Sequence, residues 1–283
     1  MAWKGRPYPM SVFVVAALIY VCWATFLFFM QRRMMFPGAD LAQYGLTSAP
    51  AEVESIRLPF SGGSVEAWFV PAAAPHPSPA AVFAHGNAEL ITNGLPDARS
   101  LAGLGVSVLL VEYPGYGGSD GRASRQSIGE VFLTAYDWLA ARPDVNEEDI
   151  IGVGRSLGTG IITDLARHRP LRALVLQSAY TSTATFAKRY LLPGFLVRDR
   201  FDNLEVLEEY SGPVLLIHGR QDPVIPYSHG ERLAAASEST ELISLDCGHN
   251  DCPPDWAAYE SALQNFLVRA GVLLPGPQPP ASR

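Results

Sequence analysis

The sequence predicts an α/β protein: a mostly parallel central sheet of about eight strands with helices on both faces, a small cap insertion, and one N-terminal transmembrane helix. Three observations carry this. Short apolar runs alternate with helical patterns along most of the chain, as strands buried on both faces do. Several of those runs end in loops rich in Gly, His and Asp, and the carboxyl ends of strands are where open α/β sheets place their sites. The stretch from Met10 to Met30 carries no charge.

That stretch comes first. Its length suits a helix crossing a bilayer, which needs about 20 residues. Lys4 and Arg6 precede it and Gln31-Arg32-Arg33 follows. It is long for the apolar part of a cleaved signal, and no small-x-small cleavage site follows. A retained single-pass anchor at residues 10–30 is therefore expected, with the bilayer as its partner. Basic residues on both sides leave the orientation open. Residues 1–33 form stub and anchor, 34–273 the catalytic domain, and 274–283 a proline-rich tail expected to be disordered.

Past an irregular lead-in, Val53–Pro59 and Val65–Val70 read as a hairpin around Ser61-Gly62-Gly63. Ala80–Ala84 is a compact buried strand followed by His85-Gly86-Asn87-Ala88. A helix over Leu95–Leu104 and a strand over Val106–Val111 come next. Tyr113 to Gly121 holds too much Gly and Pro to be anything but a loop. Ile128, Val131, Phe132, Ala135 and Leu139 recur at helical spacing over Ser127–Ala141. Ile150–Val153, Leu171–Leu176, Val214–Ile217 and Leu242–Leu245 complete the strands, with helices over Leu157–His168, Tyr227–Ala236 and Pro254–Arg269. The segment 178–212 interrupts this rhythm and reads as a cap over the strand ends. Tyr180, Phe186, Leu191, Leu192 and Phe195 within it are expected to bind substrate.

The bulk composition excludes several classes. Net charge is −7, so no basic footprint for nucleic acid exists. Three cysteines are too few for a disulfide scaffold. Cys247 and Cys252 bracket His249 and are compatible with either a local bridge or two thiols. They lack the further spaced ligand that a metal site needs. No metal or other cofactor is implied.

The chemistry is concentrated at Gly154-Arg155-Ser156-Leu157-Gly158. This pentapeptide lies between a strand and a helix, the context of a nucleophile elbow. A serine hydroxyl needs a base, and the base needs a carboxylate to fix its tautomer. Asp222 and His249 follow two later strands and supply both in the order Ser156, Asp222, His249. Asp246 and Asp251 are weaker candidates for the acid, His218 for the base. His85 reads as support for its loop. The Leu157 N–H and the Asn87 N–H are expected to form the oxyanion hole, with Ala88 as the alternative to Asn87.

With these motifs the chain resembles the serine hydrolases of the α/β-hydrolase superfamily, and within them the membrane-anchored Bem46-like group. The resemblance runs from about Thr25 to Leu267. It takes in the Gln31-Arg32-Arg33 exit, the His85 loop, the Tyr113–Gly121 loop, the elbow, Arg198-Asp199-Arg200-Phe201-Asp202, and the loops holding Asp222 and His249. It implies Ser156 as nucleophile, Asp222 as acid, His249 as base, and ester or thioester hydrolysis of small-molecule, lipid or lipidated substrates. Glu89 departs from the glycine frequent in relatives, and is expected to bring a carboxylate to the substrate site. Amide cleavage by the same triad, or a non-catalytic membrane-tethered scaffold, are the alternative functions.

Overall fold

The computed structural model describes residues 10–40 and 48–275. The expected N-terminal stub, part of the lead-in and most of the tail lie outside the described residues. Helix α1 (Met10–Met35) is followed by strands β1 (Glu54–Phe60), β2 (Gly63–Val70) and β3 (Ser78–Ala84). Then come α2 (Leu95–Gly103), β4 (Ser107–Val111), α3 (Arg125–Ala140), β5 (Val145–Arg155) and α4 (Leu157–Ala166). The chain closes with β6 (Leu174–Gln177), α5 (Asn203–Glu209), β7 (Val214–Gly219), α6 (Ser228–Ala234), β8 (Thr240–Leu245) and α7 (Trp256–Arg269).

The strands form one eight-stranded sheet in the order β1-β2-β4-β3-β5-β6-β7-β8. The β1–β2 and β2–β4 pairings are antiparallel, and every later pairing is parallel. The architecture is the expected one. Successive β3 side chains show why the runs read as continuous apolar stretches. Ala80, Val82 and Ala84 pack with α3 and α4, whereas Ala81 and Phe83 pack with α2 and α7. Both faces are dry, so both sets of alternating residues must be apolar. Leu109 in β4 is wholly buried, and its truncation to alanine would cost about 2–5 kcal/mol.

The order of strands decides where a site can form. After β3 the chain crosses to β4 on one side, then returns through α3 to β5 on the other. The loops leaving β3 and β5 therefore diverge and open a crevice at their carboxyl ends. Helix α1 extends five residues past the uncharged stretch because Gln31 and Arg32 find partners in the 178–212 segment. That segment contains two 3-10 turns, at residues 183–190 and 194–196, before the short α5.

A buried ion pair ties the ends of β3 and β4 together. His85 Nε2 lies 2.8 Å from Glu112 Oε1, and His85 Nδ1 lies 2.8 Å from the Gly86 carbonyl. Both neighbours are acceptors, so the ring satisfies both only as an imidazolium. Burial alone would lower the His85 pKa, but the Glu112 carboxylate and the Gly86 carbonyl outweigh it and raise the value. Glu112 also accepts the Ile91 N–H at 3.1 Å, so the carboxylate serves both sides of the crevice. The stabilisation from a raised histidine is full below its unfolded pKa and fades as pH climbs through its folded one. Thermal unfolding of the protein and of His85→Gln across pH 5.5–9 checks this. The wild-type margin should be full below about pH 6.5 and shrink above it. A margin flat across the range would show that no proton is held there.

Candidate active site

Strand β5 ends in a turn that places Ser156 at φ 52°, left-handed for a residue with a side chain. The turn closes because two glycines leave space. A Cβ on Gly158 would lie 2.0 Å from the Ala84 carbonyl oxygen, and one on Gly154 would lie 2.7 Å from the Gly158 carbonyl oxygen. The Ser156 N–H is held by the Gln177 carbonyl at 2.9 Å. The serine side chain is thus presented above the sheet, at the start of α4. The Leu157 N–H is the first of the helix and has no partner within it.

His249 meets Ser156 from the loop after β8. Its Nε2 is 3.1 Å from Ser156 Oγ, and its Nδ1 donates to Asp222 Oδ2 at 2.7 Å. The Asp222 carboxylate is buried and its other oxygen accepts the N–H groups of Val224 and Ile225, each at 2.8 Å. These bonds fix the rotamer that faces His249. The two loops approach closely because Gly219 has no Cβ; one there would lie 2.4 Å from the Cys247 carbonyl oxygen. The three side chains singled out in the sequence therefore come together in one hydrogen-bonded line.

The weaker candidates are engaged otherwise, although His218 Nε2 also lies 3.7 Å from Asp222 Oδ2. His218 is buried, donates Nε2–H to the Ile225 carbonyl at 2.9 Å, and burial lowers its pKa. A ring held neutral with that proton committed is a packing element. Asp251 accepts the Gly248 N–H at 2.8 Å, and Asp246 pairs loosely with Arg220.

The β3 loop is shaped by His85. Its Nδ1–H engages the Gly86 carbonyl, and across a trans peptide the Asn87 N–H must point the opposite way. Asn87, Leu157 and Ser156 line one cavity of about 300 Å³. Tyr116 holds the Asn87 carbonyl at 2.8 Å, and Tyr113 holds that of His85.

Of the residues expected to bind substrate, Tyr180, Phe186 and Leu192 line this cavity. Glu89, Leu191 and Phe195, expected beside them, are not among its lining residues. Glu89 turns back to accept the Gly86 N–H at 2.7 Å and to pair with Arg155 at 2.8 Å. Its charge is neutralised behind the elbow and never reaches the substrate side. Leu191 and Phe195 point outward, 77% and 82% exposed. Apolar character alone does not say which way a side chain faces.

Several contributors escaped the sequence reading. Leu27, Gln31, Met34 and Met35 of α1 form a wall of the cavity. Gln31, a polar residue at the end of an apolar run, was the one available signal. Arg155 joins Glu89 to the His249 carbonyl at 3.4 Å and so links the β3 loop to the β8 loop. His229 is partly buried, accepts the Thr181 N–H at 3.2 Å and stacks on Phe186. Burial lowers its pKa, in keeping with that acceptor role. Cys247 and Cys252 are joined as a disulfide across the loop that carries His249. Among the described residues no cluster of ligand side chains could hold a metal.

No protein-family model matches the chain. An uncharacterized protein of Mycobacterium tuberculosis is 32% identical over 271 residues, covering 93% of this chain and 96% of that protein. The alpha/beta hydrolase domain-containing protein WAV2 of Arabidopsis thaliana is 30% identical over 223 residues, 71% of this chain and 72% of that one. Among solved structures, the alpha/beta hydrolase GrgF from Penicillium sp. superposes with a TM-score of 0.65 at 18% identity, over 80% of this chain and 100% of its own. An esterase of Pyrococcus furiosus does so at 0.64 and 17% identity, over 80% and 96%. Sequence relatives and fold point the same way: the chain belongs to the α/β-hydrolase family.

Proposed function

We propose that this protein is a membrane-anchored serine hydrolase of the Bem46-like kind that cleaves ester or thioester bonds of acyl-bearing substrates. The observation that carries the reading is His249, bridging Ser156 at 3.1 Å and Asp222 at 2.7 Å. Ser156 Oγ attacks the acyl carbon while its proton passes to His249 Nε2. Asp222 holds the other ring proton and stabilises the imidazolium that forms. Negative charge moves to the carbonyl oxygen, where the Leu157 and Asn87 N–H groups receive it. Each such donor contributes about 3–4 kcal/mol to the transition state. Collapse expels the alcohol or thiol, which takes the proton from His249. Water, deprotonated by the same histidine, then releases the acid and restores Ser156.

The acyl group fits the apolar side of the cavity, made by Leu157, Tyr180, Phe186, Leu192 and the α1 wall. Helix α1 is the anchor: within Val12–Met35 an 18-residue window has a mean hydropathy of 2.5, and only 6% of that window is buried by the rest of the protein. The disulfide favours an oxidising compartment for the hydrolase domain. Basic residues flank both ends, so the orientation rests on that compartment, and the end carrying Lys4 and Arg6 is then the cytoplasmic one.

Three measurements test this. On aryl esters with acyl chains from two to sixteen carbons, Ser156→Ala should lose turnover on the order of 10⁴-fold or more, and Asp222→Asn on the order of 10⁴-fold. Turnover that survives in Ser156→Ala would falsify the assignment of the nucleophile. In Gly158→Ala the added methyl meets the Ala84 carbonyl, so the folded variant should lose labelling by a serine-directed phosphonate along with turnover. A mild reductant that opens Cys247–Cys252 should lower turnover while the thermal transition stays cooperative, because the loop under His249 loosens. Turnover indifferent to the thiol state, with both thiols alkylated, would remove the disulfide from the account.

A further inference from the structure

Helix α1 is more than a tether. From Tyr20 onward it is fastened to the cap at successive levels. The Tyr20 hydroxyl donates to the Leu191 carbonyl at 3.0 Å and Trp23 Nε1–H to the Tyr190 carbonyl at 3.0 Å. Lower down, Gln31 Nε2 donates to the Leu196 carbonyl at 3.1 Å, and its Oε1 accepts the Arg198 N–H at 2.8 Å. Arg32 grips the Asp199 carboxylate with two bonds of 2.7 and 3.0 Å. The cap segment thus climbs alongside the helix from Asp199 to Tyr190.

The level of that climb matters. Tyr20 lies about 18 Å along the axis from Arg32, at about 1.5 Å per residue. A bilayer's hydrocarbon core is about 30 Å thick. The uncharged stretch ends just before Arg32, so a spanning α1 carries the cap tip into the acyl-chain layer of one leaflet, even when tilted. The tip has the right surface. Leu191 and Phe195 are 77% and 82% exposed, and Tyr190 is 42% exposed. Leu191 also holds φ 58°, an unfavourable left-handed conformation for leucine that the Tyr20 bond helps to fix. Lys188 precedes the tip, and its long stem lets the charge rise toward headgroups, whereas the Arg189 guanidinium is held by the Val224 carbonyl at 2.9 Å. The α1 wall of the cavity (Leu27, Gln31, Met34, Met35) faces Leu192 and Leu196 of the cap across this same seam. Both ends of the Gln31 amide are occupied by the cap backbone, which leaves the wall apolar.

We propose that the cap tip is immersed in the leaflet and that the acyl chain of a membrane lipid reaches Ser156 sideways, through the seam between α1 and residues 190–196. The second half of this statement rests on the reading of Ser156 as an ester nucleophile; the immersion does not.

Two measurements on the full chain in phosphatidylcholine vesicles decide it. In a Cys22→Ala background, with the disulfide left oxidised, nitroxides are placed by Phe195→Cys, Phe26→Cys and Glu147→Cys. The label at position 195 should resemble that at 26, open to oxygen and closed to a water-soluble nickel chelate. Chelate access equal to that at 147 overturns the immersion. For entry, the rate on a long-chain ester dispersed in the vesicles is divided by the rate on a soluble acetyl ester. The ratio should fall at least tenfold in a Leu191→Asp, Phe195→Asp double variant. An unchanged ratio overturns the lateral route, and a general fold defect would lower both rates together. A wild type inert on both esters would overturn the hydrolase reading, and with it the entry route, while the nitroxides still decide the depth of the cap.

Discussion

The site depends on one close approach, that of the start of α4 to the end of β3. Gly158 lies against the Ala84 carbonyl with no space for a methyl group. Ser156 can stand above the sheet only because the chain turns this sharply. Holding a serine left-handed costs about 1–3 kcal/mol. The cost is offset by the surroundings that impose the turn: parallel pairing of β5 with β3 and β6, the Gln177 carbonyl on the Ser156 N–H, and the wholly buried Ile162 in α4. The strain lies at the residue whose hydroxyl faces His249 Nε2.

Around this turn three loops are brought to one point by different means. The β3 loop is set by charge, through the His85–Glu112 pair and through Glu89 on Arg155. The β7 loop is set by backbone donors closing on Asp222. The β8 loop is set by covalent closure at Cys247–Cys252 and by Arg155 on the His249 carbonyl. Arg155, next to the serine, touches two of the three. A buried or half-buried charge with two partners on separate loops fixes their spacing better than packing alone, because each lost bond would strand a desolvated group.

The legible part of the molecule follows from locality. The inner strands appeared as apolar runs because burial on both faces writes itself into consecutive residues, and the Ser61-Gly62-Gly63 turn marked the hairpin at the half-exposed edge. Ser156, Asp222 and His249 were visible because each lies at the end of such a run, in a chain order that only one topology brings together. Glu89, Leu191 and Phe195, expected at the substrate, lie off the cavity lining for the complementary reason. Glu89 is satisfied by Arg155, a partner far along the sequence. Leu191 and Phe195 are apolar for a surface, where a sequence pattern suggests only a core. The α1 contribution to the cavity was hidden in the same way. A uniformly apolar helix offers no periodicity from which to choose the face that meets the cap.

That helix answers to two environments. Over its first half every described side chain is turned outward, an exposure of apolar surface that water would penalise. Over its second half it forms part of the wall around Ser156 and grips the cap through Gln31 and Arg32. Asp199, almost wholly buried, also accepts the Arg125 N–H at 2.9 Å, so the Arg32 contact continues into α3 and the body of the domain. Removing Arg32 would leave the buried Asp199 carboxylate without that partner and loosen the contact between α1 and the cap. Helix α1 and the hydrolase domain are therefore one folding unit. A chain cut after the apolar stretch would lose one side of the cavity beside Ser156.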